Sequence, residues 1–342
     1  MTIKRGVSFY SYQQEQFFRR MNWKDMMREL HDNLHCDGVE IINEATIPNY
    51  PFPSQEFIYD WRNELAKYNL KAVTKDIYLD VHQFRDHVMN YREAAERLMY
   101  DIKIAADMGF ENVRCLCMVP IEVIEMALDT AVKYNVRIGK EIHAPYPIKY
   151  DPSREGGRMV AEIIDFVDRT GTKHVGLVPD MGIFQIAPPR VNVEYQLRNM
   201  DDLKLRDFIE KNMNEMDGKE LAAAIDKEFP DMDSMQKRFL GMFTRGPAAQ
   251  PEDILEIIPY IISIHGKFYE MTEIPGKPGQ YEDVSIDYEN VIKYLKQGGY
   301  NGYINSEYEG QRSQQDRGIE NLADEVEEVR RHHEMLARLI GE

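Results

Sequence analysis

The feature that most constrains this chain is an alternation repeated eight times. Short runs rich in β-branched and aromatic residues are each followed by a longer stretch with apolar residues at three- and four-residue spacing. That is the pattern of βα units on a parallel sheet. The runs fall at residues 6–12, 38–43, 71–79, 112–119, 137–143, 174–179, 261–268 and 302–307. The third helix reads most clearly, because Ala94, Leu98, Ile102 and Ala105 form one apolar stripe and Gly109 marks its C-terminal stop. Eight units predict an α/β fold, a (β/α)8 TIM barrel, with residues 1–342 as a single domain. Length alone, at about 150 residues per domain, would point to two domains, but such barrels run from about 200 to over 400 residues as one. Residues 184–260, between strands six and seven, are longer than one crossover requires and are predicted to be a helical insertion. Its periodicity lies in Leu203, Leu205, Phe208 and Ile209, then Leu221, Ala224 and Ile225, then Met235, Phe239 and Met242. Insertions that follow a strand sit on the C-terminal face, where this one would act as a lid, a substrate wall or a subunit interface.

Composition narrows the partners. The chain carries 42 basic and 59 acidic side chains, a net charge of −17, and so much negative charge repels nucleic acid and anionic membranes. No run of about 18 apolar residues occurs, and residues 1–12 lack the apolar segment of a secretory signal, so the expectation is a cytoplasmic protein. Cys36, Cys115 and Cys117 are too few for a disulfide framework and read as buried thiols. There is no GxGxxG or GxxxxGK[ST] loop to cradle a nucleotide and no GxSxG elbow.

A closed parallel barrel gathers the C-terminal ends of its strands around one mouth, so the candidate chemistry lies there. Strand five ends in Glu141-Ile142-His143-Ala144-Pro145, strand six in Val178-Pro179-Asp180, strand seven in Ser263-Ile264-His265-Gly266-Lys267 and strand eight in Asn305-Ser306-Glu307. Glu141, Asp180, His265 and Glu307 offer carboxylate oxygens and one imidazole nitrogen, a donor set for Mn²⁺, with Mg²⁺ or Co²⁺ as alternatives. Three acids crowded together without a cation would repel and be driven to protonate. Alternation turns residues two apart to the same side, so His143 follows Glu141 into the mouth, as a proton-transfer group or as support for a ligand. Lys267 follows His265 by the same rule, to hold a substrate oxygen or to pair with a ligand carboxylate. Glu40, Glu44, Asp76 and Arg114 are candidates for the substrate wall. Tyr10, Tyr12, Tyr78, Tyr146 and Phe184 would add aromatic area, with Tyr10 and Tyr146 the chosen substrate contacts. His31 and His35, and His332 and His333 in the charged last helix, read as ordinary helix residues.

The order Glu141, Asp180, His265, Glu307 resembles the xylose isomerase-like barrels, which hold a divalent metal with Glu, Asp, His and Glu in this chain order. His265-Gly-Lys267 is similar to their His-x-Lys segment. Epimerases of that family commonly carry a His three residues after the strand-six Asp, where this chain has Ile183. The Glu-Ile-His-Ala-Pro run at 141–145 and the Gly-Val-Ser-Phe-Tyr-Ser run at 6–11 more closely resemble the alpha subunits of bacterial C-glycoside deglycosidases. That resemblance implies a small β subunit as partner in a hetero-oligomer. It also implies a sugar-derived substrate, a 3-oxo C-glucoside of a phenol or flavonoid, with a lyase reaction that breaks a C–C bond through an enolate. A ketose epimerase or sugar isomerase using the same metal site is the alternative.

Overall fold

The computed structural model describes residues 2–153, 156–213, 215–244 and 246–342. Eight parallel strands form the centre: β1 Lys4–Ser8, β2 Gly38–Ile42, β3 Lys71–Ile77, β4 Asn112–Cys115, β5 Arg137–Ile142, β6 Val175–Pro179, β7 Ile264–Phe268 and β8 Tyr303–Tyr308. They pair in the order β6-β5-β4-β3-β2-β1-β8-β7. Single bridges between Leu177 and Ile261 and between Asp180 and His265 join the two edges into a nearly closed barrel. This closure removes the exposed edges that an open sheet would leave.

The apolar runs become strands because both faces are buried. Val7, Val39, Ile41, Val113, Ile138, Leu177, Ile264 and Ile304 are completely buried and share one core with residues of the surrounding helices. Each such aliphatic burial contributes about 1.5–3 kcal/mol. The helix Tyr91–Met108 buries Ala94, Leu98, Ile102 and Ala105, starts in a capping box between Asn90 and Glu93, and stops at Gly109 with φ 91°.

β1 to β5 stop earlier at their C-terminal ends than the apolar runs suggest, whereas β6 and β7 end where their runs do. β1 ends at Ser8 and the chain turns into a 3₁₀ segment, Phe9–Tyr12. Ser11 then takes over the missing ladder: its hydroxyl donates to the Ser306 carbonyl at 2.9 Å and accepts from the Tyr308 N–H at 2.9 Å. The turn carries Tyr12 into the core, where it is fully buried, as is Phe184 after β6. Neither is part of an aromatic wall.

Between β6 and β7 the described residues form five α-helices, Arg190–Arg198, Leu203–Asn212, Gly218–Glu228, Ser234–Thr244 and the short Ile254–Ile257, of which the first four make up the body of the insertion. Val193, Leu197, Leu205, Ile209, Leu221, Ile225, Phe239 and Leu240 pack into a small core separate from that of the barrel. Leu203 and Met235 stay exposed, because each lies in the first turn of its helix and off the packed stripe. The helices lean on the C-terminal face: Arg190 donates to Glu270 after β7 at 2.9 Å, and Arg198 to the Ser313 carbonyl after β8 at 2.9 Å.

His332 and His333 correct the reading of the last helix, Glu325–Ile340. Both are buried on its inner face, and His332 stacks on Phe268 with centroids 4.1 Å apart. Among the described residues no helix is long and apolar enough to cross a membrane.

Candidate metal centre

Strand alternation and register bring one polar set to the mouth. Asn305 lies beside His265 and Glu307 beside Lys267 across β8 and β7, and Asp76 lies beside Arg114 across β3 and β4. Glu141, Asp180, His265 and Glu307 converge there, with at most 5% of any of them exposed. His265 Nδ1 is 3.1 Å from Glu141 Oε1 and 3.6 Å from Glu307 Oε2. Glu141, Asp180 and His265 each offer a ligand atom within 4.8 Å of the others. The Gly182 N–H donates to Asp180 Oδ1 at 2.7 Å, which leaves Oδ2 facing the cluster.

The donor atoms fit a divalent cation. Glu307 Oε2 and His265 Nδ1 are buried without an aligned hydrogen bond among the described residues, which is costly for polar atoms unless something else binds them; Asp180 Oδ2 is paired with Lys267 Nζ at 2.5 Å. Burial pushes Glu307 up to about 8, against the lowering influence of His265 and Lys267. Burial also opposes the charge on Glu141, but Arg114 and His265 outweigh it and hold that carboxyl well below its ordinary range. For His265, burial favours the neutral ring, yet Glu40, Glu307 and Asp76 win and raise it well above the usual histidine value. A dication would supply the positive charge for which Glu307 and His265 otherwise retain protons.

His143 and Lys267 stand beside this cluster. His143 Nδ1 lies 2.8 Å from the Ala144 carbonyl, a contact that only an Nδ1–H can satisfy, so Nε2 carries the lone pair. That nitrogen accepts from Lys267 Nζ at 2.9 Å and lies 3.8 Å from Asp180 Oδ2. Lys267 Nζ is 2.5 Å from Asp180 Oδ2, 3.4 Å from Glu309 and 3.9 Å from Glu307, so its partners here are carboxylates. Glu309 was not singled out by sequence, although its place two residues beyond Glu307 on the same side of the chain was the available signal. It pairs with Arg312 at 3.0 Å.

The remaining sequence candidates divide. Tyr10 is at the rim; burial, then the Glu309 carboxylate, raise its phenol above the ordinary range, and Gln13 hydrogen-bonds to it. Tyr146 packs its ring against Gly156 and lines a cavity of about 400 Å³ with Cys117, Lys140 and Arg158, beside β5. Tyr78 is half exposed. Glu44 faces solvent. Glu40 and Asp76 form no substrate wall: both are completely buried and touch the far nitrogen of His265. Arg114, 4% exposed, donates to Asp76 at 3.1 Å. Among the described residues the two clusters with metal-ligand spacing both use His265 and include neither a cysteine nor His31 and His35. Cys115 is buried and its thiol is pushed up to about 12 by desolvation.

No family model matches the chain. In fold it is a (β/α)8 barrel, similar to those of solved sugar isomerases and epimerases. A sugar phosphate isomerase/epimerase from Parabacteroides distasonis superposes with a TM-score of 0.54 at 13% identity, covering 100% of this chain and 95% of that one. In sequence the chain resembles alpha subunits of C-glycoside deglycosidases along its whole length. The 3′-dehydrocarminate deglycosidase alpha subunit of a Microbacterium species is 24% identical, covering 98% of this chain and 95% of that protein. A C-glycoside deglycosidase alpha subunit of Arthrobacter globiformis is 24% identical over 99% of this chain and 93% of that protein.

Proposed function

We propose that this chain is the large subunit of a metal-dependent C-glycoside deglycosidase, a lyase that releases a phenolic or flavonoid aglycone from a 3-oxo-glucosyl unit. The observation that carries the reading is the convergence of Glu141, Asp180, His265 and Glu307 beside Nε2 of His143, which here accepts from Lys267. The relatives' names, which specify deglycosidases, alpha subunits and in one case a 3′-dehydro compound, support the reaction class and a partner subunit. The four residues would hold the cation, Mn²⁺ by preference among oxygen-liking metals, and the cation would contribute Lewis-acid polarisation of the sugar's carbonyl.

The chain's own groups then have defined tasks. His143 Nε2 takes the proton from C2, next to the carbonyl; the electron pair forms the C1=C2 double bond as the bond from C1 to the aglycone carbon breaks. That carbon takes up the proton that His143 removed from C2, so the products are an unsaturated 3-oxo sugar and the free aglycone, with His143 returned to its starting state. Lys267, held between Asp180 and His143, would orient the carbonyl side of the sugar, with Tyr10 and Tyr146 toward the rest of the substrate. A well-placed base contributes about 10²- to 10⁴-fold. The three free cysteines fit a cytoplasmic setting.

The test mixes the protein with a candidate small subunit, Mn²⁺ and a 3-oxo C-glucoside, and follows free aglycone by chromatography. Release that stops with a chelator is the expected result. Epimerised sugar without released aglycone would overturn the lyase reading in favour of an epimerase.

A further inference from the structure

His265 is enclosed by acids on two sides. Its Nδ1 faces Glu141 and Glu307, while its Nε2 lies 3.4 Å from Glu40 Oε1 and 3.7 Å from Asp76 Oδ1. Ligand atoms from either side satisfy metal spacing, so the ring's orientation alone leaves two places for a cation. The surroundings of Glu40 and Asp76 differ from those of the mouth. Glu40 Oε2 accepts from Asn305 Nδ2 at 2.9 Å, and the same amide reaches Ser263 Oγ at 3.1 Å. Asp76 Oδ1 accepts from Arg114 Nε at 3.1 Å. Donors thus fix Glu40 Oε2 and Asp76 Oδ1, while Glu40 Oε1, nearest His265 Nε2, and Asp76 Oδ2 have no aligned hydrogen bond among the described residues; both side chains are completely buried, and Arg114 supplies positive charge on that side. Gly6 makes room for the arrangement: a Cβ there would lie 2.1 Å from Asn305 Oδ1.

We propose that Glu40 and Asp76 are positioning residues that hold the Nε2–H of His265 and so turn its Nδ1 lone pair toward Glu141, Asp180 and Glu307. A neutral imidazole has one N–H. Where a cation occupies the mouth side, that hydrogen belongs on the nitrogen facing Glu40, and a carboxylate behind a metal-bound histidine fixes its ring and strengthens it as a ligand. This inference rests on the metal reading above.

Two measurements test it. Calorimetric titration of the metal-free protein with Mn²⁺ should give one site in the wild type. Affinity should be weaker by about 10- to 100-fold in Glu40→Leu and less weakened in Glu40→Gln, which keeps an acceptor oxygen. A purely structural role would lower the thermal stability of the metal-free variants and leave Mn²⁺ affinity unchanged, which overturns the proposal. Two Mn²⁺ sites in the wild type, falling to one in Glu40→Leu, also overturn it, because Glu40 is then a ligand. The second measurement uses ¹⁵N-histidine-labelled wild type loaded with Zn²⁺, whose long-range proton–nitrogen spectrum reports the tautomer of His265. Hydrogen on Nε2 is expected; hydrogen on Nδ1 puts the metal on the Glu40 side and overturns the assignment. A wild type that binds neither ion defeats the metal reading itself, and the positioning role falls with it; normal wild-type binding with an indifferent Glu40→Leu defeats the positioning role alone.

Discussion

Binding a cation at the mouth should expel protons, and the structure sets how many. Burial holds Glu307 at about 8, so at pH 7 its carboxyl carries about 0.9 proton, all of which must leave if Glu307 becomes a ligand. His265 is raised above its usual value by Glu40, Glu307 and Asp76 despite its burial, so it too carries an extra proton that the cation replaces on Nδ1. Glu141, held low mainly by Arg114, contributes none. The expected release at pH 7 is therefore close to two protons per Mn²⁺, and lowering the pH by one unit should weaken apparent binding by roughly 50- to 100-fold. Titration calorimetry in buffers of different ionisation enthalpy reads the proton count directly as the slope of observed heat against buffer enthalpy. Glu307→Gln should reduce the count by about 0.9 while still binding, more weakly, through the other three residues. A wild-type release below about 0.5 proton would mean that neither Glu307 nor His265 exchanges its proton for the cation, and a count unchanged in Glu307→Gln that Glu307 does not; either would refute the reasoning.

Three further outcomes follow from residues described above. His143→Ala should retain Mn²⁺ and lose turnover by about 10²- to 10⁴-fold in the aglycone-release assay; loss of metal and activity together would make His143 a support for the site. His333 is kept neutral by burial and by Arg5, its value lowered to about 3, so the unfolded chain takes up a proton below about pH 6.5 that the folded one refuses. Stability should therefore be lost as the pH falls from about 6.5 toward 3, by up to roughly 4–5 kcal/mol from this residue, and urea titrations of His333→Leu should show a shallower acid limb. Asp101→Ala leaves the fully buried Lys75, now 2.9 Å from Asp101, without its counter-charge. It should cost about 3–5 kcal/mol in urea unfolding, whereas a surface pair such as Arg92 and Glu96 should cost at most about 1 kcal/mol.

The strands and the four mouth residues were legible because they depend on period two and on the shared polarity of parallel strands, both local properties. Glu141 and His143, His265 and Lys267, and Glu307 with the overlooked Glu309 all follow from that one rule. The role of Glu40 and Asp76 was not legible. Their approach to His265 depends on how far β2 and β3 are staggered against β7 around the barrel, and stagger leaves no mark in any one strand. His332 was misread for a different reason. Its neighbours Arg330, Arg331 and Glu334 are charged, but Val329, His332, Leu336 and Ile340 recur at helical spacing and form the buried stripe. Tyr12 was displaced from the rim because the chain turns into a 3₁₀ segment where an extended strand was expected, and Phe184 because a second 3₁₀ segment, Met181–Phe184, follows β6 and buries it.

The two layers of charge around His265 explain why so polar a set is tolerated inside a barrel. Glu40 and Asp76 below, and Glu141, Asp180, Glu307 and Glu309 above, amount to six carboxyls against Arg114 and Lys267 as permanent cations. Below His265, Arg114 and Asn305 donate to one oxygen each of Asp76 and Glu40, while burial and Asp76 raise the Glu40 carboxyl above its ordinary range. Above it the balance relies on groups that can change state: Glu307 and His265 retain protons, and Lys267 lies among three carboxylates. A layer whose charge is held by exchangeable protons is suited to trade them for a dication. On the proposed reading the cation would lie on the upper side of His265, where Glu141 and Asp180 share metal-ligand spacing with it and His143 stands beside them.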